Sequence, residues 1–435
     1  MTPHAPTPAT DQRPVLSPAP DPVQRRTLTT LMTSQILGGV GLSGGVAVGS
    51  LLAEQILGSA ELAGLANTFQ ILGSAVLAVP GARLMAARGR RIGLATGYLV
   101  AAVGGVTVIA ASVIPSFPLL LAGAILFGAA TTANSQARYA AVDLSHPNHR
   151  GRDLGLIVAA TTVGAVLGPN LLAPAAPLAT RAGLNPLVGV WMISLVVFLT
   201  AAIWLLVRLR PDPLLLARQR ASRAGDAANS NGGFLRAWRV ISGRPRAAVG
   251  TFVVALGHTV MVAVMVMTPL HMKHGGSELR LVGLVISVHV LGMYAFAPVM
   301  GRLADRHGDR QVAVLGAGLL LLACVLSAQA PQGWSGGLTA GLFLLGLGWS
   351  ATLVAGSTML TSAVPAPERP GVQGASDLLM GLCAALGGGL SGVVVARWGY
   401  PWLSVVGAFV ATGLAAVVLL SGSAVRGDPA DNLTG

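Results

Sequence analysis

Twelve apolar segments of near-equal length leave this chain few ways to fold. They span roughly 28–53, 61–84, 92–114, 117–141, 153–177 and 186–208, then 246–270, 279–302, 311–330, 335–363, 371–396 and 401–421. Each is close to the ~20 residues an α-helix needs to cross a bilayer. In hydrocarbon every backbone N–H and C=O must be satisfied within the protein, so such segments fold as helices. The expected fold is therefore an all-α membrane protein with twelve transmembrane helices in two six-helix bundles. Composition agrees: 53% of residues are hydrophobic and 10% charged, whereas soluble domains carry about 25% charged residues. That excludes a cytosolic enzyme or a nucleic-acid-binding protein despite the net charge of +13.

The polar residues fall between these spans in a directional pattern. Residues 1–26 form a Pro-rich leader, expected to be disordered, with no cleavable signal sequence. The bundles are expected at 27–208 and 246–422, joined by a polar connection at 209–245 and followed by a tail at 423–435. Within the connection Phe234, Leu235, Trp238 and Ile241 recur at helical spacing beside Arg236 and Arg239, the pattern of a surface helix. With both termini cytoplasmic, all of the 28 basic residues except Arg181, Lys273, Arg280 and Arg397 lie on the inner side. Positive charge marks cytoplasmic loops, which predicts that orientation and a place in the inner membrane. Cys324 and Cys383 stand in apolar stretches and supply neither a disulfide framework nor a metal motif. No resident cofactor is expected. The expected partners are membrane lipid and a small-molecule or metal-ion substrate, with a monomer favoured.

The two halves repeat one another. G-A-R-L-M-A-A-R-G-R-R at 81–91 answers G-R-L-A-D-R-H-G-D-R at 301–310, and H-P-N-H-R-G-R after span four answers P-A-P-E-R-P-G after span ten. Matching signatures six spans apart indicate two six-helix repeats. Gly301, Asp305, Arg306, Gly308 and Arg310 resemble the cytoplasmic-loop motif of the major facilitator superfamily. The resemblance implies that fold, alternating access, and a latch role for these residues. In the first copy Ala86 stands in place of the aspartate, and Ala124 occupies the position of a frequent arginine in span four. Gly155, Gly164, Gly168 and Pro169 in span five resemble the antiporter motif of drug exporters. They are read as a packing and hinge element.

Spans seven and eight carry M-x-x-x-M at Met261 and Met265 and H-x-x-x-M at His289 and Met293. Residues four apart share a helix face, and thioether with imidazole suits Cu(I). At ~1.5 Å per residue, Met261 and His289 lie roughly 13 and 12 Å below the outer helix ends, and His258 and Met293 about 18 Å. The pairs also resemble those of the CcoA-like copper importers, a branch of the same superfamily. The site expected from them holds copper as substrate through Met261, Met265, His289, Met293 and His258. Taken singly, each methionine equally suits core packing, and each histidine an interhelical hydrogen bond. Asp377 in span eleven is the candidate for proton coupling, with an arginine-paired structural role as alternative. Arg138, Tyr139 and Asp143 at the inner end of span four are candidates for a cytoplasmic gate. Copper import is the favoured function, and proton-coupled export of amphipathic organic compounds is the alternative.

Overall fold

A computed structural model describes residues 21–57, 65–223 and 234–421. The expected leader up to residue 20, the tail and residues 224–233 of the connection lie outside these. All regular structure among the described residues is helical: α1 (Pro22–Leu57), α2 (Leu65–Val113), α3 (Phe117–Val142), α4 (Arg150–Asn170), α5 (Leu172–Arg181) and α6 (Gly189–Arg208). Then follow α7 (Pro213–Arg223), α8 (Phe234–Ser242), α9 (Pro245–His274), α10 (Leu279–Tyr294), α11 (Ala297–His307), α12 (Asp309–Ala328), α13 (Gly336–Ser362), α14 (Arg369–Trp398) and α15 (Tyr400–Leu420). Among the described residues, nine helical stretches are long and apolar enough to cross a membrane. One of them, α2, comprises two arms joined at Gly89, whose φ of 86° breaks the helix.

Local chemistry sets the helix ends. α1 starts at Pro22, so the expected leader boundary at residue 26 falls inside a helix. Asp21 explains the early start: its Oδ1 accepts the Val23 N–H at 2.9 Å, and proline at the first helical position forfeits no bond. That N–H and Arg220 hold the Asp21 carboxyl below its ordinary range. Span five is interrupted at Leu171, because Pro174 has no N–H for the carbonyl of Asn170. Span eight is likewise split between α10 and α11, where Pro298 has none for Tyr294. Ser116 and Ser335 cap α3 and α13 by accepting the N–H groups of Leu119 and Leu338. Gly308 turns the chain from α11 into α12 with φ 92°, a conformation that favours glycine. It occupies the same place in the second repeat motif as Gly89 in the first.

Two main hydrophobic cores form among the described residues. One, from α1 to α6, centres on Leu31, Leu94, Phe127, Trp191 and Phe198. The other, from α9 to α15, centres on Val253, Leu320, Leu342, Met359 and Leu414, and also takes in Leu154 and Val158 of α4. The outward faces of the helices keep large apolar side chains exposed, among them Val103, Ile203, Leu386 and Phe409. A surface of that kind is suited to lipid, since water-soluble monomers rarely expose large contiguous apolar patches. α8 buries Ala237 and Ile241 and leaves Leu235 and Trp238 exposed, as expected of a helix lying at the membrane surface.

Close backbone approach holds α1 against α4. A Cβ on Gly164 would lie 2.5 Å from the Gly39 carbonyl carbon. Gly164→Val should therefore lower the thermal unfolding midpoint in detergent, at a cost of ~1–3 kcal/mol from overpacking. Gly413→Ala meets nothing within 4 Å and should leave the midpoint unchanged or raise it.

Candidate functional site

The bundles meet along two seams, both toward the end carrying the arginine-rich motifs, here called the basic end. In one seam α4 packs on α11. A Cβ on Gly151 would lie 2.5 Å from the Gly301 carbonyl oxygen, and one on Gly155 would lie 2.8 Å from the Ala297 carbonyl carbon. In the other α14 packs on α2, where Gly374 faces Ala78 and Ala82 and Gly381 faces Ala75. Small residues on both sides let the helices approach closely without a Cβ clash.

A polar network crosses the second seam. Arg138 Nη2 donates to Asp377 Oδ1 at 2.7 Å, and Gln136 Nε2 donates to Asp377 Oδ2 at 2.7 Å. Arg90 Nε donates to Asp143 Oδ2 at 2.8 Å, Nη1 to Gln136 Oε1 at 3.0 Å, and Nη2 to Gln373 Oε1 at 2.6 Å. All six side chains are buried. Asp377 and Gln373 belong to α14, the others to or beside α2 and α3, so the network joins the bundles. Its two arginines and two carboxylates cancel in charge. Arg138 and Asp143, expected together as a gate, instead bind different partners within this network. Arg90 and Gln373 were not anticipated, because Arg90 sits in R-G-R-R, a run that reads as solvated loop charge. The only sequence signal is its place directly after Gly89 in the repeat motif.

The second motif copy acts through its aspartate. Asp305 Oδ1 and Oδ2 accept the N–H groups of Gly151 and Arg152, each at 2.8 Å. A carboxylate thus caps the first turn of α4, where free N–H groups and the helix dipole favour negative charge. The motif's arginines do not pair with it. Arg310 donates to the carbonyls of Val418 and Leu419 at the end of α15, and Arg306 is exposed. At the first copy, where Ala86 replaces the aspartate, the connection intervenes. Arg218 of α7 donates to the carbonyls of Ala86 at 2.6 Å and Pro367 at 3.0 Å, spanning both bundles. Asp212 accepts the Arg91 N–H at 2.7 Å.

Beyond the Arg138–Asp377 pair lies a cavity of about 220 Å³ between the bundles. The first bundle contributes Gln35, Ser74, Thr132, Asn134 and Thr161, the second His258, Tyr294, Trp349 and Met380. Trp349 Nε1 donates to His258 Nδ1 at 2.8 Å, and Tyr294 lies edge-on to Trp349 with centroids 5.5 Å apart.

Of the expected metal ligands, His258 lines this cavity, whereas Met261, Met265, His289 and Met293 do not. Met261 and Met293 are buried in the second bundle's core and Met265 packs against it. His289 Nδ1 donates to the Leu342 carbonyl of α13 at 2.8 Å. α10 packs chiefly on α13 and α4, and α9 on α13, α14 and α15. The two motifs thus do not meet across a direct α9–α10 seam. Among the described residues, no group of three or more His, Cys, Asp or Glu converges as a metal site. Gly164 packs on α1, and Gly168 and Pro169 lie in the last turn of α4.

A membrane fold of two helical bundles around a shared cavity is that of a transporter rather than an enzyme. The Major Facilitator Superfamily profile matches residues 29–279 and 248–432, and the chain belongs to that family. It is 38% identical over 397 residues to the uncharacterized MFS-type transporter YdeG of Bacillus subtilis, covering 91% of this chain and 92% of that one. It is 25% identical over 367 residues to the riboflavin transporter RfnT of Brucella anthropi, covering 82% and 85%. The crystal structure of the human organic anion transporter MFSD10 superposes with a TM-score of 0.70 at 17% identity, covering 92% and 100%.

The buried pair yields a prediction. Asp377→Asn removes the counter-charge of Arg138 and should destabilise the protein by ~3–5 kcal/mol, read as a lower unfolding midpoint in detergent. Asp377→Asn combined with Arg138→Gln should recover much of that loss. Equal midpoints for the wild type and Asp377→Asn would exclude a structural charge pair.

Proposed function

We propose that this protein is a proton-coupled secondary transporter that exports small amphipathic organic compounds by alternating access. The cavity carries this reading. One wall supplies amides and hydroxyls, the other aromatic and aliphatic side chains, and an ionisable carboxylate stands at its floor. Small-molecule sites combine these elements, apolar contact for affinity and a few polar groups for orientation.

Orientation follows from the basic residues, which assign the motif-bearing end to the cytoplasm and the protein to the inner membrane. In this arrangement the seams close the cytoplasmic side. A proton arriving through the cavity would neutralise Asp377 and remove its attraction for Arg138. The network holding α14 to α2 and α3 would then loosen, and the bundles could rock toward an inward-facing state. Substrate leaving outward and proton moving inward would share one carboxylate as coupling group.

Copper import, which the Met and His pairs suggested, retains one supporting observation. His289 Nε2 is buried without a partner, while its Nδ1 is anchored on a carbonyl as metal-bound imidazoles usually are. The named relatives support the superfamily and not its copper-importing branch.

Three measurements test this. An imposed pH gradient should drive Hoechst 33342 across proteoliposomes containing the wild type, and Asp377→Asn should abolish gradient-driven movement while leaving dye exchange. Absence of dye movement under every gradient would sink the organic-substrate reading. Cells expressing the wild type should gain no copper. A gain that His289→Leu and Met261→Leu remove would restore the metal reading. A reporter placed in the connection between α7 and α8 should behave as cytoplasmic, and periplasmic activity there would overturn the orientation.

A further inference from the structure

We propose that the side-chain amide of Gln136 relays the protonation of Asp377 to Arg90, so that one proton weakens two bridges between α14 and the first bundle. The inference rests on the proton-coupled reading above and names the positioning residue that links proton to movement.

Gln136 is 0% exposed and is bonded at both ends of its amide. Its Oε1 accepts from Arg90 Nη1 at 3.0 Å, and its Nε2 donates to Asp377 Oδ2 at 2.7 Å. A guanidinium can only donate, and an ionised carboxylate can only accept. While Asp377 is charged, the amide therefore stands one way round.

A proton on Asp377 reverses the demand at one end. Both carboxylate oxygens face donors, Oδ1 the Arg138 Nη2 at 2.7 Å and Oδ2 the Gln136 Nε2. A protonated carboxyl must itself donate from one oxygen. Arg138 cannot accept that hydrogen, and turning the carboxyl over only exchanges the two oxygens. Gln136 can accept it by turning its amide over, which brings Oε1 to Asp377. The last torsion of a glutamine is soft and roughly two-fold, so the turn needs no backbone movement.

The turned amide sets Nε2 against Arg90 Nη1, donor against donor. Asp143 holds Arg90 within its own bundle, through Nε at 2.8 Å and Nη2 at 3.4 Å. Across the seam Arg90 Nη2 donates to Gln373 Oε1 at 2.6 Å. Gln373 Nε2 is buried without a partner, so among the described residues Arg90 alone anchors that amide. One proton thus removes the attraction between Asp377 and Arg138 and, through Gln136, disturbs the Arg90–Gln373 bond. Among the described residues Gln136 is the one side chain hydrogen-bonded to both Asp377 and Arg90.

The titratable and charged groups around the relay are Arg90 of α2, Arg138 and Tyr139 of α3 and Asp143 beside it, with His258 of α9 across the cavity. Arg150, Arg218 and Arg369 interact electrostatically with Asp143. Of these groups only Arg90 is bonded to Gln136.

Infrared difference spectroscopy tests the relay on the full-length protein in proteoliposomes, with isotope-labelled aspartate and, separately, isotope-labelled glutamine. Acidification should bring up the carbonyl band of a protonated aspartic acid and, at the same pH, shift a glutamine amide band. Asp377→Asn should lose both signals, and Gln136→Leu should keep the first and lose the second. An aspartic acid band with every glutamine band unmoved would overturn the relay, and that outcome is read on the wild type alone. An amide shift that survives Gln136→Leu would overturn it as well. Gln136→Glu adds a functional readout. It sets a second carboxylate against Asp377 at hydrogen-bond distance, and two carboxylates so placed share a proton. The pH of half-maximal gradient-driven Hoechst 33342 movement should then shift by about one unit or more toward the alkaline side. A residue that only packs would change the amount of active protein and not that pH, so an unmoved pH would overturn the positioning role. Absence of any aspartic acid band would remove Asp377 as the proton carrier and the relay with it. Dye that moves under no gradient, while both bands titrate together, would bring down the transport reading and leave the relay standing.

Discussion

The Arg138–Asp377 ion pair is the contact on which the closed arrangement of the two bundles depends. A charge in a low-dielectric interior is costly, and a partner removes much of that cost. Here each bundle supplies one charge to the other. Gln136 and Arg90 extend the pair to Asp143 and Gln373, and the charges of Arg138 and Asp377 are paired only while α14 lies against α2 and α3. Intact, the network holds the seam, and neutralising one carboxylate would leave a buried arginine without its counter-charge. In the proposed transport cycle this would couple a single protonation to a rigid-body movement.

The two seams are pseudo-equivalent but built differently. At the α4–α11 seam a motif aspartate caps the first turn of the facing helix. At the α14–α2 seam the corresponding residue is Ala86, and nothing there can cap α14 in the same way. Arg218 bridges Ala86 and Pro367 instead, and Asp212 fastens the connection to Arg91. The connection between the bundles is thus part of the closure at the basic end. The same fold symmetry is maintained by a carboxylate on one side and a guanidinium on the other, because carbonyls need a donor where N–H groups need an acceptor.

The methionine and histidine pairs show how helical periodicity can mislead. Met261 and Met265 do share a helix side, as do His289 and Met293. Periodicity says which residues point one way, and it does not say toward what. Spans seven and eight are neighbours in sequence, yet α10 packs chiefly on α13, α9 packs chiefly on α14 and α13, and the two touch each other only lightly. His258, three residues before Met261, faces the cavity instead. A rotation of about 60° around the helix relative to Met261 separates core from site.

Hydropathy and repetition in the sequence determined the class of fold, the two-bundle division and the motif positions, because solvation in a bilayer permits only helices for such segments. Spans five and eight were expected as single segments, and the breaks at Leu171 and Ala295–Phe296 came only with the structure: Pro174 and Pro298 lack N–H groups there, yet Pro80 and Pro269 stand inside continuous helices. Asp377 was legible too, since a carboxylate in an apolar span demands a reason. The tertiary structure alone decided its partners. Arg90 lies far from Asp377 in sequence and inside a basic run, so its burial depends on how α2 turns at Gly89 and meets α14. Which helix faces reach the cavity was likewise settled by packing, since helix rotation follows from contacts with every neighbour at once and no local pattern encodes it.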